Sequence, residues 1–497
     1  MKKINIYIII IALTFSACKK SYIDNINKNP NNVTEELITP ELVLPNAIVG
    51  AATRNVNFTW LNNWMGYWAS SGSFAPSTEE STYNVTTTFQ EGPVWNNYYN
   101  TLYDLSVVEK KSIASSKLYY AAAAKIIKAK LFQDLVDIYG NIPYSKAFDI
   151  KRNPTPAYDK GEDIYASLQT ELDSAIKYFN TSVKPLAFNT ADVLFQGNET
   201  NWIKFANTLK LKLLIRQTQV PSFSPTTEMA KIIANGGILS YGQSANVQPG
   251  FLNEITKQST YYAAFGFLVN GLSSNAIVRA NNYVLNIYKT QASGTDLRHT
   301  RFFRQATAPL SAANPYIGTT YGAPTNETFN GERTSAIGPG LIIAPTQPAF
   351  LTTSVEIAFL YAEAVERGWF GAAIDKQTAY ENAVKESFTY LGMSTAAATN
   401  YIANLPVSYL AATNKISLIV NQKYLALCGI NPLEAWCDQR RLNIPAVTGL
   451  ISVNPAKISS TLPVRLLYPS NEYSVNSANT TAQGAINQFT SNIFWDK

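Results

Sequence analysis

Along most of the chain, apolar residues return every three or four positions. In LYYAAAAKIIKAKLFQDLVDIYG they fall at Leu118, Ala122, Ile126, Ala129, Phe132, Val136 and Tyr139. That spacing predicts a helix with one buried stripe, stopped by Gly140 and then Pro143. GNETNWIKFANTLKLKLLIRQ repeats the pattern through Trp202, Phe205 or Ala206, Leu209 and Leu213, with Asn198 as its cap. SVEIAFLYAEAVERG and AYENAVKESFTYLG read as a helix pair joined by a short Gly-containing loop. NKISLIVNQKYLALCG and NPLEAWCDQRRLN read as another. Alanines at close-packing positions and an aromatic near each helix end suggest tetratricopeptide-like units, although no strict period of 34 can be laid over them.

Two stretches break the pattern. Residues 240–350 and 445–485 are rich in Gly, Ser, Asn, Thr and Pro and show no period. A compact domain keeps so much aperiodic chain mostly where function needs it. The expected fold class is therefore mainly α: tetratricopeptide-like helix pairs forming a scaffold with a large irregular loop-rich lobe. We place a single domain at 46–497, with the scaffold at 46–235 and 350–445 and the lobe at 236–349 and 446–497.

The N-terminus sets the compartment. Lys2 and Lys3 precede INIYIIIIALTF, an apolar run of signal-peptide length and too short to span a bilayer. Ser16 and Ala17 then lead into Cys18, an arrangement that resembles the cleavage site of bacterial lipoproteins, with Phe15 where Leu is usual. Residues 1–17 are expected to be the signal peptide, Cys18 the lipidation site, and 18–45 the lipid anchor and tether. An ordinary secretory signal with a chance cysteine is the alternative. No later segment is apolar enough to cross a membrane, so attachment would be by lipid.

Composition removes several function classes. Taking Lys2 and Lys3 from the 40 basic residues leaves 38 against 34 acidic ones, a mild net charge of +4. No basic stripe with interleaved aromatics exists, so nucleic acid is not an expected partner. Cys428 and Cys437 either pair across a helical hairpin or sit as buried free thiols. His299 is the sole histidine, which excludes poly-His metal sites and leaves one candidate base for a Ser or Cys nucleophile. No G-x-S-x-G phrase supplies that nucleophile. His299, within GTDLRHTRFFRQ, therefore reads as a surface or loop-anchoring residue. No metal site and no cofactor are expected.

Two phrases look chemical and have simpler readings. In NPLEAWCDQRRLNIP, Glu434 and Asp438 are spaced i, i+4, with Cβ atoms roughly 6 Å apart, superficially like a retaining glycosidase pair. Glycosidase carboxylates flank the scissile bond from two sides, and one has a raised pKa. Here Arg440 and Arg441 should hold both carboxylates ionised. Asn431 as N-cap, Pro432 at N1 and Glu434 at N3 are the syntax of a helix start. Asp438 and Arg441 can pair at i, i+3, and Trp436 should turn inward. In FQDLVDIYGNIPYS, Asp134 and Asp137 read as solvated or capping carboxylates near a helix end, without calcium-loop spacing.

FTWLNNWMGYWASSGSF gathers Trp60, Trp64, Tyr67 and Trp68. Flat rings suit a sugar-binding surface, yet the spacing is helical and a core stripe is the leading reading. Asn62, Asn63 and Tyr67 are then the outward candidates.

Seven phrases in order resemble the SusD/RagB family of outer-membrane nutrient-binding lipoproteins, most of all its SusD-like branch. They are NKNPNNVT, LFQDLVDIYGNIPYSKAF, NWIKFANTLKLKLLIR, EIAFLYAEAVERGW, AYENAVKESFTYLG, QKYLALCGINPLEAWCDQRRLNIP and LPVRLLYPSNEYSVN. The resemblance implies about four tetratricopeptide-like pairs, lipid anchoring at the outer membrane, cell-surface display, and ligand binding without catalysis. The expected partner is a TonB-dependent SusC-like β-barrel transporter, to which an oligosaccharide is delivered. A peptide ligand, an exported glycoside hydrolase and a purely structural scaffold are the competing readings. CKKSYID lacks the acidic cluster that often follows the cysteine in surface-exposed lipoproteins, so exposure is implied by the family alone. Ligand sites in the family combine the segment after the early helix with loops of the lobe. The candidate ligand residues are accordingly Trp64, Tyr67, Trp68, Phe74, Tyr83, Tyr316 and Tyr321.

Overall fold

The computed structural model describes residues 38–496 apart from Ser293, with Asn55 described by its backbone alone. The signal peptide and Cys18 lie outside the described residues. Helix α1, Pro40–Ala52, begins inside the segment read as tether, with Pro40 at its N-terminus where a missing N–H costs nothing. The short helix α2, Thr59–Trp64, follows and leads into strand β1, Trp68–Ser70.

The scaffold then alternates long helices. Helix α3, Asn97–Ala114, packs on α4, Leu118–Tyr139, and both receive α1. Beyond the small ladder of β2, Ile142–Pro143, and β3, Tyr158–Asp159, helix α5, Gly161–Thr181, lies against α4 and α6, Glu199–Arg216. Helix α7, Thr226–Ala234, covers α6. Strand β4, Ala245–Val247, pairs antiparallel with β6, Ala349–Thr352; between them come β5, Val278–Ala280, and helix α8, Asn282–Thr290. Helices α9, Ser354–Glu366, and α10, Lys376–Thr389, form the next pair, with α11, Thr395–Ile402, on α10. Helix α12, Lys415–Ala426, packs on α9 and is followed by α13, Pro432–Leu442.

Side-chain caps fix the starts of these helices. Asn198 accepts from the Asn201 N–H, Thr353 from Glu356, Asp375 from Thr378, Asn414 from Ser417 and Asn431 from Glu434. The cap expected at Asn198 and the Asn431-Pro432-Glu434 start are therefore present. Helix α4 departs from its expected single stripe. Nearly every position is buried, because α1, α3 and α5 pack around it and its alanines let them close in.

One buried ion network ties the pairs together. Glu434 meets Arg216 at 2.7 Å, Lys212 at 3.1 Å and Lys423 at 2.5 Å. Asp438 bridges Lys423 (2.9 Å) and Arg441 (2.8 Å), and Arg441 grips both oxygens of Glu363. Lys212 also reaches Glu356 at 2.8 Å, and Arg216 reaches Asp137 at 3.1 Å. Helices α4, α6, α9, α12 and α13 thus share one set of charges. Asp137 is not a solvated capping group, contrary to the sequence reading. It is buried and also accepts from Tyr165 and from the Trp495 indole at 3.0 Å. Asp134 is likewise buried, bound by Lys130 at 2.7 Å. Periodicity could not reveal this, because the partners arrive from helices distant in sequence.

Burial would raise the Glu434 carboxyl, but Arg216, Lys212 and Lys423 outweigh it and hold it well below the usual range. At Glu363 burial is likewise outweighed by Arg441, and its pKa sits at about 2. Neither carboxylate is prepared to act as an acid. Cys428 and Cys437 are free and buried, and burial pushes both thiols up.

Candidate functional site

The aromatic helix α2 faces inward. Trp60 meets Trp64 edge-on at 4.7 Å, and both pack on Trp436 of α13, at 5.8 and 6.1 Å. Tyr67 stacks on Tyr424 at 4.8 Å and donates to its carbonyl at 2.5 Å. Trp68 packs on Phe265 at 5.0 Å. Tyr83 accepts the Ser452 N–H at 2.7 Å. Trp64, Tyr67, Trp68 and Tyr83 are all essentially inaccessible, so none offers a ring face to a ligand. The core reading of this stripe is the one the structure shows. Asn62 is also buried, and Asn63 is held by Glu80 at 2.7 Å, so neither they nor Tyr67 face outward as expected. The physical reason is cover from distant segments: Tyr424 of α12 lies on Tyr67 and Glu80 holds Asn63, while Trp436 of α13 packs on Trp60 and Trp64.

Where the chain leaves α2 it becomes a wall of a cavity. Strand β1 pairs antiparallel with β5, in the register Trp68↔Ala280 and Ser70↔Val278. The next turn continues the pairing: Ser71 N–H donates to Ile277 at 2.8 Å and Gly72 N–H to Phe329 at 2.7 Å. Asn326 N–H returns a bond to the Gly72 carbonyl at 2.8 Å. The two segments approach so closely that a Cβ on Gly72 would overlap the Asn326 carbonyl oxygen. Thr319 N–H bonds Ala280, and Asn282 N–H bonds Thr319, fixing the opposite wall to α8. Gly322, at φ +83°, turns that wall against Ser452, where no Cβ fits.

The result is a cavity of about 370 Å³ lined by Ser70, Ser71, Phe74, Pro76, Asn282, Thr319, Thr320, Pro324, Thr325, Asn326 and Phe329, among others. That volume lies in the range of small-molecule sites. Phe74 is 39% exposed and Phe329 is half-buried, so two rings stand at the cavity among hydroxyl and amide groups. Nothing in the lining is a nucleophile–base pair or a pair of opposed carboxylates. The chemistry available is ring stacking and neutral hydrogen bonding.

Of the candidate residues, the cavity gathers Phe74. It takes Tyr321 only through its neighbours Thr320 and Gly322, because the Tyr321 ring turns inward towards Glu80. Tyr316 lies outside the lining, packed edge-on to His299 at 4.9 Å. His299 anchors to the Asp296 carbonyl through Nδ1 at 3.0 Å. Phe329, Asn282 and Thr319 were not anticipated. The available signal for Phe329 was a lone aromatic inside the polar turn NETFNG.

Glu80 lies beneath this site, bonded to Asn63 and facing Tyr321. Burial raises its pKa to about 7, only partly offset by the Asn63 hydrogen bond and the nearby Tyr321 hydroxyl.

A larger cleft of about 670 Å³ lies between α3, α4 and α5. Two of its lysines, Lys125 and Lys128 of α4, both meet Glu109 of α3 at 2.7 Å. It resembles a surface ion network more than a built ligand site.

A helical scaffold carrying a loop-built, charge-poor pocket defines a binding protein in form. Comparison with known proteins gives the family. The profile of a SusD-like family described as starch-binding and associating with the outer membrane matches residues 30–469. The chain belongs to the SusD/RagB family. None of the curated proteins compared with it matches. Among solved structures, it is similar to a SusD homolog from Bacteroides fragilis NCTC 9343, at 22% identity and TM-score 0.74, covering 93% of this chain and 100% of that one. A chitin-binding SusD homolog from Flavobacterium johnsoniae is similar at 22% identity and TM-score 0.74, covering 91% and 98%. A SusD-like protein from Bacteroides thetaiotaomicron VPI-5482 is similar at 23% identity and TM-score 0.72, covering 91% and 98%. These likenesses establish the mainly α fold with its irregular lobe. Among the described residues no helix is long and apolar enough to cross a membrane, and the family is outer-membrane associated.

Proposed function

We propose that this protein captures an oligosaccharide at the outer membrane and hands it to a TonB-dependent β-barrel transporter, without catalysing any reaction on it. The observation that carries the reading is the pocket at Phe74 and Phe329, with exposed ring surface beside hydroxyl and amide groups. Pyranose rings present C–H faces for such rings and hydroxyls for such donors. The family's description as starch-binding and the chitin-binding relative support a glycan over a peptide.

Support for a partner comes from the pocket's flank. The hairpin around Gly271, closed by the Leu268 N–H bond to Leu272, exposes Leu268, Val269 and Leu272. Ile277, also exposed, carries the carbonyl that holds Ser71 in the pocket wall. Exposed apolar groups gathered in this way mark interaction sites, and a barrel seated there would close the pocket. Cys18 would carry the lipid, with the body on the cell surface.

A detergent pull-down from native outer membranes tests the partnership: a large TonB-dependent barrel should co-purify. Its absence would remove the delivery half of the proposal. A glycan and peptide binding panel tests the capture half, and tighter peptide binding at Phe74 would overturn it.

A further inference from the structure

We infer that the pocket selects neutral over anionic saccharides, so that uronate-bearing or sulfated chains are not its ligands. This rests on the saccharide reading above and narrows it to a substrate class. No side chain lining the cavity ionises. The segments that build it extend the pattern well beyond the lining. Residues 67–78, 261–278, 280–288 and 305–326 contain no Asp, Glu, Lys, Arg or His, in a chain where 15% of residues are charged.

The charges closest in sequence to these segments are committed elsewhere or carry the wrong sign for an anion: Arg304 stacks over the Phe267 ring at 4.3 Å and Glu79 accepts from the Thr86 N–H at 2.5 Å. Glu327, at the rim, accepts from Ser73 Oγ at 3.0 Å. Glu80 is bonded to Asn63 at 2.7 Å and faces the inward ring of Tyr321. Arg279, on β5, spends its guanidinium on the Val278 carbonyl at 2.7 Å and on the Gly331 carbonyl at 3.2 Å. Lys289 is held by the Tyr316 carbonyl at 2.6 Å and by Asn314 at 2.8 Å.

A carboxylate or sulfate entering this cavity would leave its hydration shell without meeting a cation. A hydroxyl would not suffer the same loss, because Thr, Ser and Asn side chains replace its water bonds one for one. Glu327 at the rim adds repulsion for an approaching anion. The discrimination is therefore made by what the pocket lacks for the wrong ligand as much as by what it offers the right one.

The test uses the full-length protein purified in detergent and pairs of probes sharing a backbone. Calorimetry would compare fully methyl-esterified oligogalacturonate with the free acid, and neutral hexaoses of glucose, mannose, xylose and N-acetylglucosamine with sulfated counterparts. Neutral members should bind at least tenfold tighter than their acidic partners, with their binding weakened about tenfold in Phe74→Ala. Thr325→Lys, which places a cation in the lining, should narrow that ratio by raising affinity for the acidic members. Acidic probes binding as tightly as neutral ones, and equally sensitive to Phe74→Ala, would overturn the inference while leaving the saccharide reading intact. Failure of every saccharide to bind, neutral and acidic alike, would overturn both.

Discussion

Replacing Glu434 by Gln changes one atom in the centre of the scaffold and should show what the ion network contributes. The side chain is fully buried and compensates three cations, Lys212, Arg216 and Lys423. Each cation keeps one other carboxylate, Glu356, Asp137 and Asp438 respectively. The variant therefore leaves each of these buried cations one carboxylate instead of two, without opening a cavity. Removing one partner of a buried ion pair costs about 3–5 kcal/mol, and three weakened pairs together place this variant in that range. Unfolding entropy of about 2.1 cal/mol/K per residue gives roughly 1 kcal/mol/K for a body of this size, so the midpoint should fall by about 3–5 °C. Scanning calorimetry at pH 7 measures it. Acid should abolish the difference. The Glu434 carboxyl is held below its unfolded value, so its contribution is present at neutral pH and is lost as pH falls below about 4.5, through the folded pKa. Glu363, at about 2, follows the same sign, its contribution fading between about 4.5 and 2. A midpoint at pH 7 within 1 °C of the parent would refute the claim that these charges hold the helix pairs together.

Other parts of the molecule give sharper contrasts. Trp64→Ala should cost about 3–5 kcal/mol of stability, because the ring is buried against Trp60 and Trp436; calorimetry reads it. Phe74→Ala, at a half-open ring, should leave the melting midpoint within 1 °C while weakening glycan affinity about tenfold, roughly 1.4 kcal/mol, in a titration. Gly72→Ala should lose both binding and stability, since its Cβ would force the 71–74 turn away from Asn326. Glu80 has the opposite pH sign to Glu434. Its folded pKa of about 7 lies above the unfolded value, so stability rises as pH falls from 7 towards 4.5, and Glu80→Gln should flatten that slope in melts at pH 5 and 8.

Local sequence carried the scaffold well. The helices marked by the 3.6-residue period, the Asn198 and Asn431 caps and the Asp438–Arg441 pair all rest on residues close in sequence, and each is present, although α4 is buried all round rather than along one stripe. What failed were judgements about which face is open. Asp137 reads as a solvated or capping group because nothing nearby in sequence shows that Arg216 and Trp495 come to it. Tyr67 was offered to the surface although Tyr424, far along the chain, covers it. The pocket was legible only as a region. Phe74 stood out as a ring after the early helix, but Phe329 and Asn282 join it through pairing across the lobe, which leaves no periodic trace.

The central claim is that the pocket between β1 and the 318–329 loop binds a saccharide. The most direct measurement is titration of the full-length protein with a panel of oligosaccharides, alongside Phe74→Ala and Phe329→Ala. At least one neutral saccharide should bind, with each substitution weakening it about tenfold and both variants folded by calorimetry. Saccharide binding that survives the loss of both rings would contradict the claim, as would an entire panel without a ligand.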